Sequence, residues 1–263
     1  MKFIHLSDTH LLGSCKESLY GIDPDFRLKV ALQSIQNLHK DAKFIAITGD
    51  LANDSDIRVY EKLCHIADNF EIPIYPILGN HDNREFFISY FPKFSSGNFV
   101  QYVKKIENKI FIFLDTLVEN KPYGELCQER LNWLKSVLDE YKQEQKFIFM
   151  HHHPVDCGLY DMDNMGAFQT KKLFWDMLSR YENIKHISFG HIHRIMHSNR
   201  GSISMHSTRS TAFEVAYKPN SKKEYLTNEE SPTYAIININ SDGDTRVHHH
   251  EYLDEDKVYL GVC

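Results

Sequence analysis

The sequence predicts an α/β fold, a four-layer α/β/β/α sandwich in which two stacked mixed sheets are flanked by helices. Three observations predict it. Short apolar runs alternate with longer amphipathic runs over most of the chain, as in layered α/β proteins. The short runs are almost continuously apolar, which is typical of strands covered on both faces. The last third instead carries short alternating runs separated by turn residues, which is typical of antiparallel strands.

Six strands are expected before residue 190, each a short run rich in Ile and Phe. They are Phe3–Leu6, Phe44–Thr48, Ile72–Leu78, Ile110–Leu114, Phe147–Met150 and His186–Phe189. Four helices are expected between these strands, because apolar residues recur there at helical spacing. They are Phe26–His39, Asp54–Asn69, Leu126–Tyr141 and Lys171–Tyr181. An aromatic stripe at helical spacing (Phe86, Phe87, Tyr90 and Phe91) is interpreted as core.

After His193 the alternating runs predict antiparallel strands that close or flank the second sheet. They are Ser202–His206, Thr211–Ala216, Tyr234–Asn240 and Arg246–Tyr252, with turn signals at Asn199–Gly201 and Ser241–Gly243. The polar segment Pro219–Pro232 has little periodicity and predicts a long surface loop. Because no repeat or linker divides the sequence, we expect a single domain over residues 1–263, with motifs in 8–193 and an antiparallel part in 194–263.

The composition excludes several classes of protein. With 42% hydrophobic residues, 25% charged residues and a net charge of −6, the 263-residue chain is unlike collagen, coiled coils or disordered tails. No apolar run reaches the roughly 18 residues that a membrane span needs, so no membrane partner is expected. A net negative charge gives no sign of the basic surface that binds long nucleic acid. Extended nucleic acid is therefore not expected as a partner.

Cysteine usage and the N-terminal sequence indicate the compartment. The five cysteines are odd in number, widely spread and form no CxxC pair, so neither a disulfide framework nor a cysteine zinc site is indicated. They are Cys15, Cys64, Cys127, Cys157 and Cys263. The N-terminus reaches polar residues too soon for a signal peptide. We therefore expect a reducing compartment and a cytoplasmic location.

Five of the six predicted strands end in residues that commonly ligate metals. The clusters are Asp8-Thr9-His10, Gly49-Asp50, Gly79-Asn80-His81-Asp82, His151-His152-His153-Pro154 and Gly190-His191-Ile192-His193. Sites in layered α/β folds form beyond the carboxyl ends of strands. Imidazole and carboxylate together suit divalent metals. Each cluster alone is equally a turn, a helix cap or a solvated loop, but five that agree in position and in chemistry predict one metal site.

The ordered set DxH, GD, GNHD, a histidine followed by proline, and GHxH resembles the calcineurin-like metallophosphoesterases. The chain length, the HHHPV segment and the GNHD motif are most similar to the bacterial class III cyclic-nucleotide phosphodiesterases of that family. The resemblance implies two metal ions. One would be held by Asp8, His10 and His193, the other by Asn80, His152 and His191, and Asp50 would bridge them. His151 and His153 satisfy a looser alignment and stay open as alternatives to His152.

The resemblance also implies hydrolysis of phosphodiester bonds by a metal-bridged hydroxide, with 3′,5′-cyclic nucleotides such as cAMP as the expected substrates. Two cations about 3.5–4 Å apart would clamp the phosphate, so no nucleophilic side chain is required. The leaving alkoxide needs a proton, and His81 is the expected donor. Asp82 or Asn53 is expected to orient the His81 imidazole. Some relatives carry Asp where this chain has Asn53, and an uncharged amide would not raise the pKa of that imidazole.

Several alternatives stay open at this stage. Mixed His, Asp and Asn ligation suits Mn, Fe or Zn without selecting one. Within enzymes the rivals are a phosphomonoesterase and a nucleoside-diphosphate-derivative hydrolase, and outside them a catalytically silent metal-binding scaffold. The oligomeric state is not determined, and a homodimer is one of the states left open. Of the remaining histidines, His197 and His206 are expected at the surface, with a role in supporting the ligands or contacting substrate left open because they follow the GHxH cluster, and His248–His250 are expected on a solvated strand face.

Overall fold

Strands and helices alternate along most of the chain. The computed structural model describes residues 1–13, 18–218, 227–228 and 230–253. The strands are β1 (Lys2–Leu6), β2 (Ile45–Thr48), β3 (Ile74–Ile77), β4 (Tyr102–Ile106), β5 (Lys109–Phe113), β6 (Gln145–Met150), β7 (Ile184–Phe189), β8 (Met196–Arg200), β9 (Ile203–Ser207), β10 (Glu214–Val215), β11 (Thr227–Asn228), β12 (Thr233–Ile239) and β13 (Thr245–Glu251). The helices are α1 (Pro24–Leu38), α2 (Ile57–Asn69), α3 (Arg84–Tyr90), α4 (Gln128–Glu140), α5 (Tyr160–Asn164) and α6 (Lys171–Leu178), with one turn of 3-10 helix at Pro92–Phe94.

The strands form two mixed sheets, as the sequence predicts. The first has the order β13-β12-β1-β2-β3, with β1, β2 and β3 parallel and β12 and β13 antiparallel. The second has the order β4-β5-β6-β7-β9-β8, with a parallel centre and antiparallel edges. A short ribbon of β10 and β11 stands apart from both sheets. The parallel centres place several strand ends at one edge of each sheet.

Alternation along the strands separates two apolar layers. On β5, Phe111 and Phe113 join the core between the two sheets, whereas Ile110 and Ile112 join the core beneath α4 and α6. The layer between the sheets is aromatic: the ring centroids of Phe113 and Phe149 lie 4.6 Å apart. The opposite face of the first sheet is covered by α1 and α2, whose apolar residues belong to the same core. The four-layer α/β/β/α prediction is confirmed.

Helix caps set two boundaries that matter for the site. Helix α1 begins at Pro24, two residues before the prediction, because the Asp23 side chain accepts the N–H of Phe26 and proline suits the first turn. Helix α3 begins after Asn83, which caps the N–H of Phe86. This cap holds the GNHD motif in the turn between β3 and α3. The aromatic stripe on α3 packs into the core, as predicted.

Other parts of the chain differ from the predictions. Strand β4 was missed because its lysines mask the apolar pattern. Strand β9 is parallel to β7, so the all-antiparallel prediction is wrong here: the tight β8–β9 hairpin returns the chain into the gap beside β7. His206 on β9 is consequently fully buried and not at the surface. Most of the predicted loop Pro219–Pro232, and residues 254–263, lie outside the described residues. No helix within the described ranges is long and apolar enough to cross a membrane.

Candidate metal centre

The predicted ligands converge where the parallel strands of both sheets end. Backbone hydrogen bonds tie the loops together: the Asp8 N–H donates to the Gly49 carbonyl at 3.1 Å, and the His10 N–H to the Asp50 carbonyl at 2.8 Å. In the second sheet, the Gly190 N–H donates to the His151 carbonyl at 3.0 Å, and between the sheets the His191 N–H donates to Asp8 Oδ1 at 3.0 Å. The strand-end clusters therefore form one buried site rather than five separate turns.

Left-handed backbone marks this site. Positive φ occurs at ten non-glycine residues of the described chain, and five of them are predicted ligands. They are Asp8 (53°), His10 (41°), Asp50 (47°), His191 (71°) and His193 (51°). Such conformations are uncommon for L-residues and persist where the surrounding structure enforces them, often at functional sites. The sharp bend at each strand end turns these side chains inward.

The first group of ligands surrounds one point. The Nε2 atoms of His10 and His193 lie 3.2 Å apart. The His193 Nε2 is 3.5 Å from Asp8 Oδ1, and the His10 Nε2 is 3.6 Å from Asp50 Oδ2. Ligands about 2.1 Å from a tetrahedral ion lie roughly 3.4 Å from one another. The His193 Nδ1 pairs with the Phe213 carbonyl at 2.7 Å, which aims Nε2 at this point. All four side chains fit a metal ion.

The second group contains His151. Its Nε2 lies 3.1 Å from Asn80 Oδ1 and 3.4 Å from Asp50 Oδ2, and its Nδ1 pairs with the Thr48 carbonyl at 2.7 Å. Asp50 Oδ2 thus lies between His151 and His10, one from each group. The His191 Nε2 is buried without a hydrogen-bond partner in the described part of the chain. Unpartnered buried nitrogen beside carboxylate and amide oxygens is what a metal ion would satisfy.

His152, which the motif alignment selected, makes different contacts. Its Nδ1 pairs with the Thr116 hydroxyl at 2.8 Å. Its Nε2 is buried without a hydrogen-bond partner among the described residues and lies near His191, so His151, His152 and His191 form one group of ligand atoms within 4.8 Å. The contacts to Asp50 and Asn80, however, belong to His151. The sequence prediction and the geometry therefore favour different members of the triple histidine.

Burial and neighbouring charges set the protonation of the site. Burial lowers the pKa values of His10, His152 and His191 well below the ordinary value, which leaves these imidazoles neutral and able to ligate. Burial alone would also lower the pKa of His151, but the Asp50 carboxylate raises it to about 9. The same pairing holds the pKa of Asp50 well below its usual range despite its burial. A bound cation would take the place of the His151 proton.

His81 lines the site from the turn before α3. Its N–H donates to Asp50 Oδ1 at 2.9 Å, and its Nδ1 pairs with the main-chain carbonyl of Asn53 at 2.9 Å. The Asn53 side chain instead donates to Asp54. Asn53 therefore orients the imidazole through its backbone, which any residue at that position provides. The nearby Asp50 carboxylate raises the pKa of His81, so the missing acidic side chain at position 53 is offset by the ligand itself.

Asp82 ties the loops of the site together through hydrogen bonds and acts on the His81 ring only through its charge, which helps to raise the His81 pKa after the larger effect of Asp50. Its carboxylate accepts the N–H groups of Leu51, Ala52 and Gly79 and the hydroxyl of Tyr60. These bonds tie the loop after β2 to the turn after β3. The expectation that Asp82 orients the imidazole is replaced by a role in holding Asp50 and Asn80 side by side.

Five glycines at the site have no space for a side chain, and at three of them the Cβ would meet a predicted ligand most closely. A Cβ at Gly79 would overlap the Asp50 carboxylate, one at Gly124 the His152 ring, and one at Gly166 the His191 Nε2. Sequence reasoning missed Gly124 and Gly166, together with the orienting groups Thr48, Thr116 and Phe213. No local signal marks them, because each lies in a different loop from the ligand it touches.

A cavity of about 700 Å³ opens onto the centre. One wall carries Asp50, Asn80, His81, His191 and His193. The other wall comes from α5 and the loop after it, with Tyr160, Met162 and Met165 among its residues. Tyr160 is 44% exposed and Met165 61% exposed, although both are large and apolar. The cavity therefore joins a polar metal centre to a mostly apolar shelf, in which Asp161 and Asn164 are the polar side chains.

Comparison with known proteins agrees with this geometry. The family model for calcineurin-like phosphoesterases matches residues 1–194. A probable cyclic nucleotide phosphodiesterase from Rhodopseudomonas palustris is 32% identical over 247 residues, which covers 92% of this chain and 89% of that protein. A probable glycerophosphodiester phosphodiesterase from Arcobacter nitrofigilis is 27% identical over 231 residues, covering 86% of this chain and 85% of that protein.

A solved structure shares the fold. A dimetal phosphatase from Danio rerio superposes with a TM-score of 0.70 at 14% identity, covering 94% of this chain and 98% of that chain. The motifs, the converging ligands and the family match over most of the chain agree. The chain therefore belongs to the calcineurin-like phosphoesterase family and is a metal-dependent phosphoric ester hydrolase.

Proposed function

We propose that this protein is a dinuclear metal phosphodiesterase that hydrolyses 3′,5′-cyclic nucleotides such as cAMP. The observation that carries the substrate class is the two-sided cavity, in which the centre faces Tyr160 and Met165. A phosphodiester at the centre would direct its leaving group towards this shelf. A nucleobase is flat and apolar on its faces and suits an aromatic ring and a thioether. A glycerol group has no such surface.

One metal is assigned to Asp8, His10 and His193, the other to Asn80, His151 and His191, with Asp50 between them. His151 replaces His152 in this assignment because its Nε2 lies 3.4 Å from Asp50 and 3.1 Å from Asn80. The donor set of imidazole nitrogens with carboxylate and amide oxygens suits Mn, Fe or Zn. When bound, the two cations would supply Lewis acidity and an activated water for in-line displacement at phosphorus.

Adjacent variants test the choice between the two histidines. We expect His151→Ala to retain about one Mn²⁺ per chain and His152→Ala to retain two, measured by metal analysis after dialysis against Mn²⁺. His152→Ala is a matched control because both rings are fully buried and belong to the same loop. The opposite pattern would restore the assignment of His152.

His81 is the proposed proton donor to the leaving oxygen. Because Nδ1 pairs with the Asn53 carbonyl, Nε2 is the ring nitrogen left to face the cavity that His81 lines. As the bond between phosphorus and the leaving oxygen breaks, the proton on Nε2 passes to that oxygen and leaves a neutral imidazole. Asp50 supports the imidazolium form electrostatically and fixes the turn through the His81 N–H.

The leaving group tests this role. We expect His81→Asn to bind two Mn²⁺ but to lose about 10²–10³-fold in kcat towards cAMP, whose alkoxide needs a proton. Towards bis(p-nitrophenyl) phosphate, whose phenolate leaves without one, the loss should be less than about tenfold. Equal losses with both esters, or loss of metal, would assign His81 a structural role instead.

A substrate panel separates the rivals. The Mn²⁺-loaded protein is compared on 3′,5′-cAMP, 2′,3′-cAMP, glycerophosphodiesters, nucleoside-diphosphate derivatives and phosphomonoesters. We expect the highest kcat/KM with 3′,5′-cAMP, and a Tyr160→Ala variant to raise KM for cAMP more than for a glycerophosphodiester. Preference for a monoester or a glycerophosphodiester would refute the substrate. Absence of hydrolysis of every ester, with an unchanged Asp50→Ala variant, would support the scaffold alternative.

A cytoplasmic location stays a prediction from cysteine usage.

A further inference from the structure

Three histidines outside the metal centre form a buried hydrogen-bonded chain across the interface of the two sheets. His5 lies on β1 of the first sheet, whereas His186 and His206 lie on β7 and β9 of the second. All three are at most 2% exposed. The surrounding layer is otherwise aromatic and apolar, so imidazoles there must satisfy both ring nitrogens or lose stability.

Each ring nitrogen in this chain has a partner. The His186 Nε2 lies 2.6 Å from the His206 Nδ1, and the His206 Nε2 lies 2.9 Å from the His5 Nδ1. At one end, the His186 Nδ1 lies 2.6 Å from the Ser204 hydroxyl. At the other end, the His5 Nε2 lies 2.7 Å from the Thr48 hydroxyl. Five groups are therefore linked in a row.

The chain continues to the metal centre through two hydroxyls. The Thr48 hydroxyl donates to the Ser7 hydroxyl at 2.8 Å. The Ser7 hydroxyl in turn donates to the main-chain carbonyl of Thr48 at 3.4 Å. The main-chain carbonyl of Thr48 accepts from the His151 Nδ1 at 2.7 Å. Thr48 thus lies directly beneath His151, which is assigned to one of the two metals.

The acceptor at the end sets the direction of every bond. Ser7 donates its one proton to the Thr48 carbonyl, so it must accept from the Thr48 hydroxyl. Thr48 then accepts from the His5 Nε2–H. By the same logic each preceding imidazole donates from Nε2 and accepts at Nδ1. At the far end the His186 Nδ1 has two hydroxyls as possible donors, Ser204, which also reaches the Lys185 carbonyl at 3.2 Å, and Thr245 at 3.2 Å. One tautomer, protonated at Nε2, satisfies all three rings.

The rings are neutral, as this arrangement requires. Burial lowers the pKa values of His5 and His186 to about 3, and that of His206 well below its ordinary value. A protonated imidazole would donate at both nitrogens and would oppose its neighbour across one of the two short contacts. A neutral chain with a single direction avoids this conflict.

We propose that His5, His206 and His186 are positioning residues of the metal centre, which fix Thr48 so that its main-chain carbonyl accepts from the His151 Nδ1 and orients that metal ligand. The inference rests on the proposed dinuclear centre. In this proposal a row of hydrogen bonds, all running in the same direction, links His186 and His206 of the second sheet to Thr48 at the end of β2 in the first sheet. Removing the middle ring takes away the partner that fixes His5 against Thr48, and the Thr48 carbonyl then orients His151 less firmly.

The tautomers are measured first, on metal-free wild-type protein labelled with ¹⁵N at histidine. Long-range ¹H–¹⁵N correlation spectra distinguish a ring protonated at Nε2 from one protonated at Nδ1. We expect His5, His186 and His206 all to be neutral and protonated at Nε2 at pH 7.5. A single ring of the three that is protonated at Nδ1, or at both nitrogens, would overturn the proposal without any variant being made.

Binding of Mn²⁺ alone, followed by calorimetry, tests the consequence. His206→Leu removes both polar atoms and is expected to weaken one of the two Mn²⁺ sites about tenfold. His206→Gln keeps one donor and one acceptor about as far apart as the ring nitrogens, and is expected to stay within about threefold of wild type. The matched control is His249→Leu on β13, whose ring lies 6.2 Å from that of His206 and has no hydrogen-bond partner in the described ranges.

The variants separate positioning from packing. Wild-type affinity in His206→Leu, or equal weakening in His206→Leu and His206→Gln, would overturn the proposal. If the His206 ring only filled space, Gln, which keeps a donor and an acceptor, would preserve Mn²⁺ affinity no better than Leu. Failure of the proposed function looks different: protein that binds two Mn²⁺ but hydrolyses no cyclic nucleotide refutes the substrate and leaves this inference intact. The spectra and the calorimetry need no substrate.

Discussion

Replacing His186 with glutamine should reduce the amount by which the free energy of unfolding falls as the pH is lowered below 6.5. The folded chain holds His186 neutral, since burial lowers its pKa to about 3. The unfolded chain protonates the same ring near pH 6.5. Below pH 6.5 the unfolded state therefore binds more protons than the folded state, and stability falls as pH falls. The Gln variant lacks this proton and should lack this part of the slope.

The magnitude follows from proton linkage. A base with a pKa near 6.5 in the unfolded state and about 3 in the folded state removes about 1 kcal/mol of stability between pH 6.0 and 5.0. The effect between pH 6.5 and pH 3 is about 4 kcal/mol. Because small domains are stable by about 5–15 kcal/mol, the slope of one imidazole is measurable. Other titrating groups contribute equally to both proteins and cancel in the comparison.

The assay is urea unfolding at pH 6.0 and pH 5.0, with EDTA present so that metal binding does not enter. We expect wild type to lose about 1 kcal/mol more than His186→Gln over this interval. His5→Gln is a second, independent variant with the same expectation, because burial also lowers the pKa of His5 to about 3. Equal slopes in wild type and both variants would show that the folded protein protonates these rings, and would refute the reasoning.

Three further predictions concern space, packing and metal. Gly79→Ala should weaken Mn²⁺ binding at least tenfold in calorimetry, because its Cβ would overlap the Asp50 carboxylate; Gly201→Ala, with open space around it, should cost only about 1–2 kcal/mol of backbone strain and leave binding unchanged. Phe149→Ala should lower the free energy of unfolding by about 3–5 kcal/mol in urea, and a loss below about 1 kcal/mol would contradict the packing between the sheets. Mn²⁺ at 100 times its Kd should stabilise the protein by about 2.7 kcal/mol per site in thermal unfolding, and a similar shift in Asp50→Asn would contradict the bridging role.

The sequence was most informative where local pattern and chemistry coincide. The apolar runs predict the six central strands to within about two residues at most ends, since continuous burial on both faces leaves little room for polar residues. The strand-end clusters predict that Asp8, His10 and His193 converge with Asp50. These residues lie far apart in sequence. Because parallel strands end at a common edge of the sheet, motifs that directly follow such strands are expected to lie close together in the fold.

The sequence was least informative about histidines. His151 and His152 are adjacent and chemically identical, and only the loop geometry aims the His151 Nε2 at Asp50 while the His152 Nδ1 pairs with Thr116. His206 resembles a surface residue on a polar strand, yet the return of β9 beside β7 buries it between the sheets. Position along the chain does not carry this information.

The sequence alone determined the layered fold, the family resemblance and the kind of atoms at the centre, because residue type and spacing report burial and ligand chemistry directly. Tertiary structure decided which imidazole faces Asp50, that Asn53 acts through its carbonyl, and that α5 supplies an apolar wall. It also assembled His5, His186 and His206 from three strands and two sheets into one chain. Those facts depend on contacts between distant segments, and such contacts exist only once the chain has folded.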